Sequence, residues 1–161
     1  VKIRIRRATA KDLPVVTRLL TELGGEREIP QKRALELFRK MRRHSGYHVY
    51  VALVDGDPAG TFSLFVIPTL MHDGANEALV DGVVVTARYR GKGIGKQMMQ
   101  HAMKIASDAG CYKLALSSNI DRDDAHRFYR NLGFIQHGIS FQVAISRPSS
   151  GKPAAARPRG A

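Results

Sequence analysis

The chain has 161 residues, 43% of them hydrophobic, with no tryptophan and one cysteine, and its formal net charge is +12. That length suits a single domain with a real core, the lone cysteine excludes an internal disulfide, and no apolar run reaches spanning length. With no signal-peptide pattern either, a soluble cytoplasmic protein is the expectation.

Lys2 to Arg7 reads as a strand. "TAKDLPVVTRLLTELGG" follows as a helix that opens at Thr9 or Asp12 and stops at Gly24-Gly25. "PQKRALELFRKMRRH" is a second helix with the apolar stripe Ala34, Leu37, Phe38 and Met41, and its other faces are strongly basic. Thirteen Lys/Arg stand against five Asp/Glu up to residue 45, and four against none from residue 147 onward. Two accounts of the basic helix stand side by side: a solvated face, or attraction of an acidic substrate or partner.

His44 and His48 are four apart, but Ser45-Gly46 interrupts the helix between them, so no metal site is expected. Tyr47 to Val54 and Ala59 to Ile67 read as strands joined by the hairpin-like turn "DGDP", and Pro68 to Asn76 as a loop. "ALVDGVVV", Ala78 to Val85, is a β-branched run that reads as the central strand. Next comes "RYRGKGIGKQMMQHAMKIA", where Ile94, Met98, Ala102, Ile105 and Ala109 recur at helical spacing. Three glycines therefore stand where a helix begins, and there unpartnered N–H groups and the positive end of the helix dipole suit an anion. Gly91, Gly93 and Gly95 leave the main chain uncovered, and Arg90, Lys92 and Lys96 add charge that suits phosphate.

The spacing excludes two common phosphate loops. Around Gly95-Lys96 the P-loop pattern would need Gly at Arg90 and Ser or Thr at Gln97. The three-glycine dinucleotide pattern would need its last glycine at Lys96 or Met98, and no acidic residue follows at ribose distance. After the helix, Cys111 sits before a strand at Lys113 to Ser117, an inert, partly buried thiol rather than a nucleophile. A helix from Asp123 to Leu132, capped near Asp121 or Asp123, and two short strands near Phe134 and Phe141 complete the domain, 1–146. Residues 147–161, rich in Pro, Gly, Ser and Ala, read as a basic flexible tail.

Arg-Gly-x-Gly-x-Gly behind a valine strand resembles the pyrophosphate loop of the GNAT superfamily of acyl-CoA-dependent N-acyltransferases, Gln/Arg-x-x-Gly-x-Gly/Ala, with Arg90, Gly93 and Gly95 in its fixed positions. "KLALSSNIDRDDAHRFYRNLGF" resembles the second signature of that family at the expected distance, ending Phe-Tyr-x-x-x-Gly-Phe. The resemblance implies an α+β three-layer domain around one mixed sheet, its two central parallel strands splayed apart to admit acetyl-CoA. It implies an acetyl-CoA-dependent N-acetyltransferase without a metal, the cofactor's pyrophosphate lying over Arg90, Gly91, Lys92, Gly93, Ile94, Gly95 and Lys96. By position, main-chain groups of Val83, Val84 and Val85 pair with the pantetheine arm, and an N–H there faces the thioester oxygen.

Acyl transfer to an amine requires a held cofactor, a deprotonated amine, a stabilised oxyanion and a protonated leaving thiolate. Period-two alternation groups Glu77, Asp81, Val83 and Val85 on one strand face, so both carboxylates are candidates to take the amine's proton, directly or through water. Asp81 stands where many small GNAT enzymes carry Glu, one methylene longer, and binding a cationic substrate is the other reading of it. Tyr129 matches the tyrosine that protonates the thiolate in many relatives; its other reading is a core aromatic, the role that Phe128 fills beside it while also standing in the cofactor set. Asn119 matches a pantetheine-amide contact or is an ordinary turn asparagine. His126, on the face of Tyr129, is a substrate-pocket or packing residue.

The expected acceptor is the primary amine of a small molecule or metabolite. Protein N-terminal or lysine acetylation is the alternative; modifiers of the ribosomal-protein type carry Asn where this chain has Arg122 and a Glu-Val-Arg strand where it reads "LALSSN". An alternative of another class is a basic, non-catalytic module that binds acyl-CoA or an acidic partner. A homodimer is admitted, a membrane is not, and scattered lysines without a recognised motif disfavour nucleic acid.

Overall fold

A computed structural model describes residues 2–24 and 27–145. The expected helix stop at Gly25 and the tail 147–161 lie outside the described residues. The chain divides into two compact units, Val1–Ser118 and Asn119–Ala161.

The first unit is a five-stranded sheet in the order β1-β2-β3-β4-β5, with β1 Ile3–Arg7, β2 Tyr47–Val54, β3 Asp57–Pro68, β4 Asn76–Val85 and β5 Cys111–Ala115. The pairs are antiparallel except β4 with β5, which is parallel. A two-residue turn closes β2 on β3. Asp55 and Gly56 both have positive φ (50° and 95°), the conformation whose twist matches that of a hairpin.

Residues that face each other across the ladder share a face. Val49 and Val51 of β2 therefore point one way and Tyr50 the other. On the Val49 side lie helices α1, Leu13–Thr21, and α2, Gln31–Met41. Leu13, Val16, Ala34, Phe38 and Val49 form a buried cluster there, with Leu35 and Met41 packed against it. Leu35 thus joins the expected stripe. A short 3-10 turn, Ala10–Asp12, precedes α1, and its entry is locked by Asp12, which accepts from Thr9 N–H (2.7 Å) and from both terminal nitrogens of Arg6 (2.7 and 2.8 Å).

On the Tyr50 side lies α3, Ile94–Asp108, which buries Ile94, Met98, Met99, Ala102 and Ala106. Tyr50 stacks on Phe62 at 4.9 Å, and His101 of α3 meets Tyr50 edge-on at 5.7 Å. Full burial of an aromatic such as Phe62 contributes about 1.5–3 kcal/mol by area. Two helices on one face and one on the other make the three layers.

β5 begins two residues before the expected Lys113, because the parallel register pairs Asn76 with Cys111. Burial there pushes the Cys111 thiol up from its ordinary value, in keeping with an inert residue. In the second unit, α4 spans Asp123–Asn131. The two strands expected near Phe134 and Phe141 are not present among the described residues. The period-two apolar pattern Ile139, Phe141, Val143, Ile145 predicts strand, but a strand exists only through ladder bonds to a neighbour, and these side chains are 76–90% exposed.

Candidate functional site

β4 is a longer strand than β5 can accompany. The parallel ladder runs from Asn76 opposite Cys111 to Leu79 opposite Ala115, and there it ends. β4 continues to Val85, still paired on its other side with β3 as far as Gly60. From Val80 onward the β5-side edge of β4 has no strand partner among the described residues, so an extended ligand can take up its main-chain donors and acceptors.

Within that stretch β4 is bulged. Ser63 faces Asp81 and Thr61 faces Val84, so Phe62 alone stands against Gly82 and Val83. Gly82 is the extra residue. Its φ of +60° is left-handed, which glycine adopts at little cost, and a Cβ there would stand 3.3 Å from Leu20 Cδ2. The bulge corrects the simple alternation: Asp81 shares its face with Val84, while Val83 and Val85 lie on the opposite one.

The turn after β4 is tied at both flanks. Ala87–Tyr89 is a 3-10 turn. Tyr89 is buried, and its hydroxyl donates to Asp57 at 3.4 Å. Arg88 pairs with Asp57 at 3.5 Å, and the Arg88 and Lys92 cations lie 5.0 and 5.4 Å from the centre of the Tyr89 ring. Arg90 is already engaged, with Nη2 2.9 Å from Glu22 and Nε donating to the Val85 carbonyl at 2.9 Å. Gly93 caps α3 without a side-chain bond, and the first helical bond, Gln97 N–H to Gly93 O, leaves the N–H groups of Ile94, Gly95 and Lys96 outside the helical ladder. A Cβ added at Gly91 or Gly93 would meet no atom within 4 Å, so the approach to these donors is open.

The two strand carboxylates differ. Glu77 belongs to the part of β4 that β5 still accompanies: it faces Lys113, pairs with its ammonium at 3.1 Å and accepts from the Tyr112 hydroxyl at 3.4 Å. The hydrogen bond that the Lys113 ammonium itself donates to Glu77 holds it above its ordinary pKa. Asp81 lies beyond the end of the ladder, is exposed, and accepts from Gly82 N–H at 2.7 Å.

The second unit has its own local logic. The Asn119 side-chain oxygen accepts from Asp121 N–H at 3.0 Å, closing a turn, and its carbonyl accepts from Arg122 N–H at 3.0 Å. His126 Nε2 lies 2.9 Å from the same carbonyl, which only accepts, so Nε2 carries the proton. "FYRNLGF" is a helix stop. Phe134 N–H bonds Tyr129 O (3.1 Å) and Gly133 N–H bonds Arg130 O (3.0 Å), with Gly133 left-handed at φ +91°. Tyr129 sits edge-on between Phe128 (5.1 Å) and Phe134 (5.6 Å).

Residues 14–134 match the model of the Acetyltransferase (GNAT) family. The chain belongs to this family. It is 33% identical over 119 residues to the glucosamine 6-phosphate N-acetyltransferase of Trypanosoma brucei brucei, covering 71% of this chain and 79% of that protein. It is also 33% identical over 142 residues to the aminoalkylphosphonate N-acetyltransferase of Salmonella typhimurium, covering 88% and 90%. Among solved structures, a putative acetyltransferase from Agrobacterium tumefaciens superposes with a TM-score of 0.83 at 30% identity, over 88% of this chain and 99% of that one.

This GNAT protein is an acetyl-CoA-dependent N-acetyltransferase with the family's α+β fold, a mixed five-stranded sheet flanked by helices. The residues present fit the co-substrate: an uncovered glycine turn at a helix start, and a strand edge released by the end of the β4/β5 ladder. The first unit carries the loop, Val83 to Val85 and Asp81 on consecutive segments, whereas Glu77 stands earlier on β4 in an ion pair. Asn119, Phe128 and Tyr129 belong to the second unit. Two residues that shape this region are missing from the expectations drawn from the sequence. Gly82 inside a valine run is a bulge signal, and Glu22, at the end of a helix, carries no local signal at all.

Proposed function

We propose that this acetyltransferase acts on the primary amine of a small metabolite that also carries a phosphate or phosphonate group. The observation that carries the reading is shared by two relatives at 33% identity, whose names specify a sugar amine phosphate and an aminoalkylphosphonate. The net charge of +12 suits such an anionic acceptor, and Arg33, Lys40, Arg42 and Arg43 on and just after α2 are the candidates to attract it.

Acetyl-CoA supplies an acetyl thioester. The N–H groups of Gly91 to Lys96 cradle its pyrophosphate, and the free edge of β4 at Val83 to Val85 takes its pantetheine arm and offers an N–H to the thioester oxygen. Asp81 receives the amine's proton or holds its cation. Its exposure beyond the end of the ladder supports that role over Glu77, whose carboxylate Lys113 neutralises. As the amine nitrogen bonds the acetyl carbon and the thioester C–S bond breaks, Tyr129 donates a proton to the departing thiolate and regains one from water, to which Asp81 releases the amine's proton; a phenol near pKa about 10 is modestly weaker as an acid than the thiol, at about 8.5. Phe128 packs beside it and Asn119 meets the pantetheine amide. The reaction belongs in the cytoplasm, where the free thiol of Cys111 stays reduced.

The test is thiol release from acetyl-CoA with glucosamine 6-phosphate, glucosamine, an aminoalkylphosphonate and a neutral alkylamine, at low and high salt. The phosphorylated amines are expected to show the higher kcat/KM, with the advantage shrinking as salt rises because exposed charges beyond about 8 Å are screened. An Arg42→Gln/Arg43→Gln variant is expected to lose part of that advantage. Equal kcat/KM for charged and neutral members of each pair would refute the acceptor class.

A further inference from the structure

Glu22 ends α1 as its C-cap, where a carboxylate opposes the negative end of the helix dipole. Its position is explained by what it holds. Oε2 accepts from Arg90 Nη2 at 2.9 Å and from the Ala87 N–H at 3.1 Å, while Arg90 Nε donates to the Val85 carbonyl at 2.9 Å. One carboxylate and one guanidinium thereby join the end of α1, the last residue of β4 and the first residue of the turn that leads to the glycines. Beyond that turn, Gly91 and Gly93 have no side chains with which to hold the loop themselves.

We propose that Glu22 is a positioning residue for the acyl-CoA loop. Acting through Arg90 and the Ala87 N–H, it sets the entry of the segment 91–96, so that the N–H groups there converge on one anion. Arg90 is then a strut of the loop rather than a phosphate ligand. This rests on the reading of the loop given under Proposed function. The opposite arrangement, in which Glu22 merely competes with the pyrophosphate for Arg90, predicts an effect of opposite sign: removing Glu22 would free the cation and tighten binding.

The experiment is the Kd for acetyl-CoA by calorimetry, without acceptor, for the parent, Glu22→Ala, Glu22→Gln, Arg90→Ala, the Glu22→Ala/Arg90→Ala pair and Gly93→Val. Glu22→Ala is expected to weaken binding about tenfold, the scale of one lost charge-assisted hydrogen bond. Glu22→Gln keeps an oxygen for the Ala87 N–H and loses the charge, so about threefold is expected. Arg90→Ala should resemble Glu22→Ala, and the double variant should be no worse than either, because the two act as one unit. In turnover, KM for acetyl-CoA should rise while kcat and the acceptor KM stay at parental values. Unchanged or tighter binding in Glu22→Ala, alongside lost binding in Gly93→Val, would overturn the proposal and leave the loop reading intact. Unchanged binding in Gly93→Val would overturn the loop reading and the proposal with it. If Glu22→Ala does not fold, Glu22→Gln decides, with a Kd equal to the parent's counting against.

Discussion

Tyr129 and Phe134 meet edge to face, ring centroids 5.6 Å apart, because they are the third residue from the end of α4 and the second beyond its cap. The "FYRNLGF" ending is thus a helix stop before it is anything chemical, and the ring of Tyr129 is held by it. Tyr129→Phe keeps both ring contacts and removes the hydroxyl. Turnover should fall about 10²-fold, with the circular dichroism spectrum close to the parent's, if the phenol donates a proton. Equal turnover where chemistry is rate-limiting would leave Tyr129 a cap residue only.

Gly93→Val should abolish acetyl-CoA binding while leaving the circular dichroism spectrum close to that of the parent. No neighbouring side chain or strand stands within 4 Å of a Cβ at Gly93, so the added branches would stand where the anion approaches, and the left-handed φ of +77° there confines the strain of a valine to the loop that holds the donors. Parental affinity by calorimetry would exclude the loop as the pyrophosphate site.

Gly82→Ala tests the bulge. A left-handed φ of +60° costs an L-residue about 1–2 kcal/mol, and the new Cβ would press on Leu20 at 3.3 Å. A loss of that size lowers Tm by roughly 2–8 °C in a chain of this length. A Tm equal to the parent's would show that β4 can be regularised at this point without penalty.

Asp12→Asn removes a carboxylate that Arg6 and the Thr9 N–H hold well below the usual range, the Arg6 hydrogen bonds being the larger cause. A depressed folded-state pKa contributes stability that is fully present above the unfolded value, about 3.9, and is lost as pH falls through the folded one. The variant should be about 1.5–3 kcal/mol less stable at neutral pH. The gap should be flat down to about pH 4 and narrow below it. Denaturant titrations at pH 7, 5 and 3 measure it, and a gap independent of pH would mean that packing, not charge, accounts for Asp12.

Local chemistry was legible from the chain. The strand Tyr47–Val54 and its Asp55-Gly56 turn follow from β-branched residues and a dipeptide that tolerates positive φ. The helix beginning at Ile94 follows from apolar spacing behind a glycine, and the family follows from two loops with fixed residue spacings. These signals lie within about one or two turns of chain, the range over which side-chain periodicity and backbone preference act.

What the tertiary structure alone decided involves partners far apart in sequence. Glu22 meets Arg90 across 68 residues, and no helix-end pattern announces that contact. The start of β5 at Cys111 is set by its register against Asn76, and the end of that ladder at Leu79 decides which part of β4 is free. Gly82 turns Asp81 and Val83 to opposite faces only because Phe62 on the neighbouring strand opposes two residues at once. The alternating residues Ile139 to Ile145 carry strand propensity, yet none is realised among the described residues. Strand identity, unlike helix identity, is made by hydrogen bonds to another segment, and a single chain segment cannot specify which neighbour supplies them.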